Sequence, residues 1–249
     1  MTCTLIATAP LGLEAVVAQE VRQLGYTPAI VDNGRVTFTA DGLGICRANL
    51  FLRSADRVLL QVGEFNAYTF EELFEGVRTL PWSDLLPISA RFPVEGRSVK
   101  SKLASVPAVQ AVVKKAVAVS LGAAYGLATL PETGPLYALE VALWHDRATL
   151  TIDTTGPGLH RRGYRAHAGA APLKETLAAA LVQIARWHGE RPFADPLCGS
   201  GTIAIEAAMI ARNIAPGRSR TFASEQFDLC AKHYETARAE ARDCTKTSA

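Results

Sequence analysis

Strand-like and helical patterns alternate regularly in the first 65 residues. Apolar residues and turn signals predict strands at residues 4–9, 29–31, 35–39 and 57–62 and helices at residues 13–24 and 42–52. The turn Asp32-Asn33-Gly34 joins the two middle strands as a hairpin. This β-α-β-β-α-β order predicts a small ferredoxin-like domain that ends near Phe65.

A second alternation of patterns begins at Thr69. Thr69-Phe70-Glu71-Glu72 has the form of a capping box that starts a helix. An extended stretch is predicted at residues 88–94, a helix at residues 108–121 with Pro107 in its first turn, and a closing hairpin at residues 137–153. We therefore expect a separate α+β domain, and helical spacing leaves Lys114 and Lys115 outside the buried stripe of its long helix.

The composition indicates a globular protein in a reducing compartment. Hydrophobic residues make up 49% of the 249 positions, and 26 basic residues against 24 acidic ones leave a net charge of +2. The five cysteines are scattered without the paired spacing of a zinc site, so no metal centre is expected. No basic leader precedes an apolar segment, and the longest uncharged stretch, residues 116–130, is shorter than the ~20 residues of a membrane span. We expect a soluble, cytoplasmic protein.

The balanced total charge conceals a local surplus of basic residues. Between Arg91 and Lys115 there is one acid, Glu95, and there are six bases: Arg91, Arg97, Lys100, Lys102, Lys114 and Lys115. Such a surplus favours binding to phosphates, because each neutralised phosphate releases counterions. A solvated face on a small domain explains the same charges, and the composition alone does not separate the two interpretations.

Residues 193–208 have the pattern of a ligand-binding turn. A short apolar run, predicted to be a strand, ends at Asp195, a Gly-rich turn follows, and a strong helix-forming sequence begins at Thr202. Glycines let the backbone approach a ligand closely, and the first turn of a helix offers N–H groups to an anion. Gly199, Gly201 and Ala204 also satisfy the G-x-G-x-x-[GA] dinucleotide pattern, whereas a P-loop is excluded because no Lys-Ser or Lys-Thr closes the turn. An ordinary turn between strand and helix is the alternative.

The block Asp195-Pro196-Leu197-Cys198-Gly199-Ser200-Gly201-Thr202 resembles motif I of the class I S-adenosylmethionine-dependent methyltransferases. The resemblance implies S-adenosyl-L-methionine as cofactor. It also implies cofactor contacts from Asp195, Pro196, Cys198, Gly199, Ser200, Gly201 and Thr202. Pro172 and Thr176, at the start of a helix predicted over residues 172–187, would lie beside the methionine end. Capping of that helix by Glu175 and Thr176 is the alternative interpretation.

Further motifs widen this resemblance to nearly the whole chain. Residues 97–103 and 112–116 look like an RNA-binding THUMP domain, and residues 152–156, 159–165, 171–179 and 214–217 complete a similarity to the bacterial 23S rRNA guanine-N2 methyltransferases. The resemblance implies a mixed α/β and α+β fold. Its predicted parts are a ferredoxin-like domain at residues 1–65, a THUMP domain at 66–155, and the start of a Rossmann-like methyltransferase domain at 156–249.

Two basic clusters are then expected to bind ribosomal RNA. The THUMP-like cluster consists of Arg97, Lys100, Lys102, Lys114 and Lys115. The linker cluster consists of Arg161, Arg162, Tyr164 and Arg165. Arginine can fork onto phosphate and tyrosine can stack on a base. The alternative for the linker cluster is a structural one, in which these side chains hold the domain junction through carbonyl and carboxylate groups.

The catalytic motif of the resembled family is absent from this sequence. That family uses a later Asn/Asp-Pro-Pro-Tyr segment to hold the target amine, and no Pro-Pro pair occurs here. Glu225 is rejected as the ribose-binding acid because the stretch before it is turn-like rather than a buried strand. The 47 residues from Ile203 to Ala249 are too few to complete a Rossmann-like sheet, so we expect a truncated chain that methylates poorly or not at all on its own.

Exposed apolar faces on the two C-terminal helices would then favour association with a missing C-terminal half or with a second copy of the chain. A stand-alone RNA-binding module with a vestigial cofactor site is the main alternative function. A dinucleotide-dependent enzyme is a weaker one, because it leaves Asp195-Pro196 and the linker motif unexplained.

Overall fold

The computed structural model describes residues 2–164 and 173–247, which form two compact units. Unit 1 consists of Met1–Val58, Thr155–Glu225 and Cys230–Ala249. Unit 2 consists of Leu59–Thr154 with the short segment Gln226–Leu229. The ferredoxin-like segment and the C-terminal segment therefore belong to the same unit, and the domain boundaries expected from the sequence stay a prediction.

The N-terminal part of unit 1 has the predicted β-α-β-β-α-β order. Its elements are β1 (Cys3–Thr8), α1 (Glu14–Gln23), β2 (Pro28–Asp32), β3 (Arg35–Ala40), α2 (Gly42–Phe51) and the first two residues of β4 (Arg57–Asn66), whose other residues belong to unit 2. β3 pairs antiparallel with both β1 and β2. Leu5, Val17, Phe38 and Ile45 are fully buried and fill the core beneath the sheet. The Asp41 side chain caps α2 by accepting a hydrogen bond from the Gly44 amide at 2.9 Å.

Unit 2 combines one sheet with two helices. The new elements are α3 (Phe70–Arg78), β5 (Val94–Val99), α4 (Val106–Tyr125), β6 (Leu139–Trp144) and β7 (Arg147–Asp153). β7 pairs antiparallel with β4 and β6, and β6 pairs parallel with β5. The predicted hairpin is confirmed, with His145 and Asp146 both at positive φ (49° and 64°) in its two-residue turn.

The C-terminal part of unit 1 is helical. It contains α5 (Glu175–Ile184), α6 (Thr202–Ala211) and α7 (Tyr234–Asp243). α5 packs against α6, and α7 packs against α2. The Gly217 amide donates a hydrogen bond to the Leu50 carbonyl at 2.9 Å, so the Ile214-Ala215-Pro216-Gly217 motif holds the chain against the end of α2.

The mixed fold class is confirmed, and three details differ from the sequence expectations. The extended stretch predicted at residues 88–94 is present only in part: Ile88 and Ser89 form a turn, Arg91 forms a β-bridge with Leu136, and β5 begins at Val94. α5 is shorter than the helix predicted over residues 172–187, since it begins at Glu175. The capping box is partial, because Thr69 accepts from the Glu72 amide but the Glu72 carboxylate accepts from Tyr68.

Among residues 2–164 and 173–247, α4 is the one helix long and apolar enough to cross a membrane. The core helix of a folded domain passes the same test. α4 packs on α3 and β5, and its stripe Val109, Val113, Ala116, Val117 and Leu121 is buried there. Packing inside unit 2 therefore accounts for these five apolar residues.

Candidate cofactor loop and basic surfaces

The loop at residues 195–202, called the cofactor loop, depends on two glycines at positive φ. Gly199 has φ 51° and Gly201 has φ 74°, a region that L side chains rarely adopt. A Cβ added at either glycine would meet nothing within 4 Å, so the backbone angle and not local crowding requires glycine. The Gly-rich turn predicted from the sequence is present, and the structure adds the positive φ of both glycines.

Hydrogen bonds fix the cofactor loop against the start of α6. The Gly201 amide donates to the Cys198 carbonyl at 2.7 Å, and the Asp195 carboxylate accepts from the Leu197 amide at 3.1 Å. The Ser200 and Thr202 hydroxyls lie 3.1 Å apart. Gly201 is the N-cap of α6 and provides no side-chain cap, so the positive end of this helix is offered to an external anion.

The cofactor loop is open and not filled by its own side chains. Pro196, Cys198, Gly199 and Ser200 are exposed, and Leu197 is 91% exposed. The site therefore has room for a ligand beside the glycines. This geometry fits the carboxylate or ribose end of a nucleoside cofactor, which a tight backbone turn and a helix N-terminus can hold.

The strand predicted directly before the cofactor loop is wrong. Residues 192–195 have no strand conformation, and the Phe193 ring packs edge-on against Trp187 at 5.2 Å between centroids. Within residues 173–247 no strand is present to pair with this stretch. Without a neighbouring strand, the backbone N–H and C=O groups of this run have no strand partners for hydrogen bonds. The run therefore stays irregular.

The start of α5 has a structural contact that the sequence did not indicate. Thr176 is fully buried, and its hydroxyl donates to the Asp56 carboxylate at 3.1 Å. The N-cap of α5 is Lys174, without a side-chain cap bond, and Glu175 is the acidic residue of the first turn; the alternative of capping by Glu175 and Thr176 stays a prediction. Pro172, the other predicted cofactor contact on this segment, lies outside the described residues.

The linker cluster divides between exposed and buried side chains. Arg162 is 3% exposed; its Nη1 donates to the Leu159 carbonyl at 2.7 Å, its Nη2 donates to the Arg53 carbonyl, and its Nε lies 3.4 Å from Glu206 Oε1. The expectation that Arg162 binds RNA is therefore corrected, because its donors are used inside unit 1.

The Tyr164 hydroxyl donates to the same Glu206 oxygen at 2.9 Å. Burial raises the pKa of Glu206, and burial together with this carboxylate raises the pKa of Tyr164, which keeps the tyrosine protonated as a donor. The Tyr164 hydroxyl is thus anchored to a buried acid, and base stacking by its half-buried ring stays a prediction. Arg161 is exposed, and Arg165 lies outside the described residues.

The THUMP-like cluster also divides into two groups. Arg97 pairs with Glu140 at 3.1 Å, and Lys114 pairs with Glu132 at 2.6 Å while its Nζ lies 3.9 Å from the Phe92 ring centroid. Arg97 and Lys114 are thus partly neutralised. Lys100, Lys102 and Lys115 are exposed, and none of them has an acidic partner among the described residues.

Lys100 and Lys102 lie on a surface with exposed aromatic rings, called the hairpin surface (Tyr68, Lys100, Lys102, Trp144 and His145). The Lys102 Nζ is 5.0 Å from the Tyr68 ring centroid, and Trp144 is 50% exposed. Two hydrogen bonds join its segments: the Lys102 amide donates to Asp146 at 2.6 Å, and the His145 amide donates to Val99 at 3.2 Å. The sequence did not indicate the aromatic members, because an aromatic at a strand end usually belongs to the core.

Three family models match successive parts of the chain. Residues 4–59 match the RlmL ferredoxin-like domain, residues 67–153 match the THUMP domain, and residues 162–248 match the RMKL-like methyltransferase domain. The three domain types expected from the sequence are therefore confirmed, in the expected order.

Individual relatives agree with these matches. A protein of Bacillus subtilis (strain 168) named "Putative RNA methyltransferase YpsC" is 56% identical over 231 residues, which cover 92% of this chain and 60% of the relative. A Listeria monocytogenes crystal structure named "predicted N6-adenine-specific DNA methylase" is 54% identical with a TM-score of 0.96 over 99% of this chain and 65% of that one.

The crystal structure of SMU.472, named "a putative methyltransferase complexed with SAH", is 46% identical with a TM-score of 0.94 and covers 99% of this chain and 66% of that one. The chain thus spans between three fifths and two thirds of the length of these relatives. Its sequence and fold place it in the group of proteins that combine an RlmL-like ferredoxin-like domain, a THUMP domain and an RMKL-like methyltransferase domain.

Proposed function

We propose that this chain is the RNA-binding and cofactor-loop portion of an S-adenosyl-L-methionine-dependent methyltransferase that acts on guanine N2 of 23S rRNA in the cytoplasm. The observation that carries the proposal is the open cofactor loop, with Gly199 and Gly201 at positive φ before an uncapped helix, on the same chain as a THUMP domain. The SMU.472 relative, crystallised with SAH, supports the choice of cofactor.

The cofactor would supply an electrophilic methyl group on sulfur. In this chain the amides at the start of α6 would hold its carboxylate, and the cofactor loop backbone would position its ribose and methionine parts. Holding two reactants in line supplies much of the rate in such a displacement. The protein's task at this loop is therefore binding and orientation.

The hairpin surface would hold the RNA. Lys100 and Lys102 would contact phosphates, and the exposed rings of Trp144 and Tyr68 would stack on unpaired bases. The name of the Listeria relative points to DNA instead. RNA is preferred because the THUMP match and the surface with stacking rings both favour unpaired RNA.

Methyl transfer to deproteinised 23S rRNA tests the proposal. No Pro-Pro pair is present to form the family's amine-binding motif, so this chain alone should transfer methyl groups no faster than background. A chimera that joins the chain to the remaining C-terminal part of YpsC should form N2-methylguanosine, detected by mass spectrometry of the digested RNA.

Robust turnover by the chain alone would refute its inactivity. Methylation of adenine, or of DNA in preference to RNA, would refute the assigned target. RNA binding without any binding of S-adenosylmethionine would favour the stand-alone RNA-binding module.

A further inference from the structure

A basic cleft in unit 1 lies outside both the cofactor loop and the hairpin surface. This arginine cleft has a volume of about 610 Å³, and Arg161, Arg218, Arg220, Arg238 and Glu225 line it. An adjoining cleft of about 430 Å³ shares Arg218 and Arg238 and adds Arg242. Across the two, five arginines face one acidic side chain, so the surface attracts an anion.

Two of these arginines build the walls of the cleft. Arg220 Nη1 donates to the Gly158 carbonyl at 2.7 Å and to the Arg161 carbonyl at 3.2 Å. Arg238 Nη2 donates to the Arg220 carbonyl at 2.8 Å and to Glu225 Oε1 at 2.6 Å. The linker and the segment after α6 are therefore held together by guanidinium groups, and the single acid is already paired.

Two further arginines, at the mouth of the arginine cleft, are available to a ligand. Arg161 and Arg218 are exposed, and within the described ranges neither guanidinium has a hydrogen-bond or ion-pair partner. Their backbones are fixed, since the Arg161 amide donates to Gly158 and the Arg218 amide donates to Ala215. A fixed backbone limits the conformational entropy that these side chains lose on binding.

We propose that the arginine cleft binds the phosphodiester backbone of the RNA substrate, with Arg161 and Arg218 contacting phosphates directly. This inference rests on the proposed function and adds an RNA contact region in unit 1. Guanidinium groups match the geometry of phosphate oxygens better than lysine does. Among the described residues, no aromatic side chain lines the arginine cleft. The cleft therefore contacts phosphates and does not stack on bases.

RNA binding at increasing salt tests this assignment. The full chain is titrated into a labelled 23S rRNA transcript between 50 and 200 mM salt, as wild type, as R161Q/R218Q and as the matched control R22Q/R212Q. The control removes two exposed arginines of unit 1 away from the cleft. Because each phosphate contact contributes roughly 0.7–0.9 to the slope of log K against log salt, R161Q/R218Q should lower that slope by about 1.5.

R161Q/R218Q should also weaken binding at 50 mM salt at least about tenfold, whereas the control keeps wild-type values. Both double variants should melt at the wild-type temperature, since the exchanged side chains are exposed. A K100Q/K102Q variant of the hairpin surface separates this inference from the proposed function. If K100Q/K102Q weakens RNA binding while R161Q/R218Q behaves like the control, the cleft assignment is overturned and the function stands.

If the wild type binds no RNA, the proposed function fails and the cleft assignment fails with it. Calorimetry with inorganic phosphate distinguishes an RNA-binding cleft from a cleft that binds a small phosphate ligand. Phosphate binding that R161Q/R218Q abolishes, combined with unchanged RNA binding, would assign the cleft to a small phosphate ligand and overturn the RNA assignment.

Discussion

Two neighbouring arginines in the linker, Arg161 and Arg162, differ in burial and in hydrogen bonding. Arg161 is exposed at the mouth of the arginine cleft, whereas Arg162 is buried and bonded to two carbonyls and Glu206. The sequence Leu159-His160-Arg161-Arg162-Gly163-Tyr164 could not separate them, because an irregular segment has no periodicity that indicates its buried side. Whether such an arginine is exposed or bonded inside the protein depends on which carbonyl groups the fold places near it.

Replacing Arg162 tests its structural role. Arg162→Met removes the guanidinium paired with the buried Glu206 carboxylate, and loss of one partner of a buried pair typically costs about 3–5 kcal/mol. Urea unfolding should therefore show a large fall in the free energy of unfolding. Arg161→Met is the matched control and should stay within about 0.5 kcal/mol of wild type. Equal effects of the two substitutions would contradict the assigned burial.

Glu14 gives a prediction about pH. Hydrogen bonds from its own amide and from the Gly34 and Gly12 amides lower the pKa of Glu14 below its ordinary value of 4.5. The lowered pKa means that the ionised carboxylate stabilises the folded state above pH 4.5 and that this contribution is lost as the pH falls through the folded pKa. Glu14→Gln should therefore melt below wild type at pH 7, with a gap that closes on acidification. A gap that is constant with pH would contradict this account.

At the scale of elements, the helix predicted after the cofactor loop is present, whereas the strand predicted before it is absent from the described residues. Glycines at residues 199 and 201 specify a turn by their own backbone preferences, and Thr202–Ala211 has its own helical propensity. A strand, by contrast, forms only beside another strand, which supplies the partners for its backbone hydrogen bonds. The same reasoning applies to residues 88–94, where Ile88 and Ser89 form a turn and extended pairing begins at Arg91, which bridges Leu136.

The structure gives a physical reason for the glycine that ends the Ile214-Ala215-Pro216-Gly217 motif. A Cβ on Gly217 would lie 2.8 Å from Leu50 Cα and 2.9 Å from the Asn49 carbonyl oxygen, both backbone atoms at the end of α2. Gly217→Ala should lower the free energy of unfolding by about 1–3 kcal/mol, because helix backbone cannot move aside easily.

Gly158→Ala is the matched control in unit 1. Its nearest atoms, 2.9 Å away, belong to the His160 ring, a side chain that can rotate. Denaturant unfolding of both variants should show the larger loss for Gly217→Ala. A larger loss for Gly158→Ala would show that the contact with α2 is not close in solution.

For the whole molecule, local patterns predicted more than long-range contacts did. The β-α-β-β-α-β order, the long helix of unit 2 and its hairpin all follow from periodicity and turn residues, and all are present. The arginine cleft was not predicted, since Arg161, Arg218 and Arg238 are distant in sequence and only the fold brings them together. The exposed Trp144 was missed for the same reason, because burial depends on which elements cover a residue.

The expected exposure of apolar side chains on the C-terminal helices is present. Leu181 and Ile184 of α5 are 43% and 56% exposed, and Ile205 of α6 is 37% exposed. Association through this face, with another polypeptide or with a second copy of the chain, stays a prediction that sedimentation analysis of the purified chain can test.

Calorimetric titration with S-adenosylmethionine is the most direct test of the central claim, that the cofactor loop holds a nucleoside cofactor. The wild-type chain should bind it, and Gly201→Val should weaken binding at least tenfold, because valine strongly disfavours the φ of 74° at this position. Gly126→Val, at a similar φ of 68° in unit 2, is the matched control and should bind like wild type. Absence of binding by the wild type, or equal binding by Gly201→Val, would contradict the account.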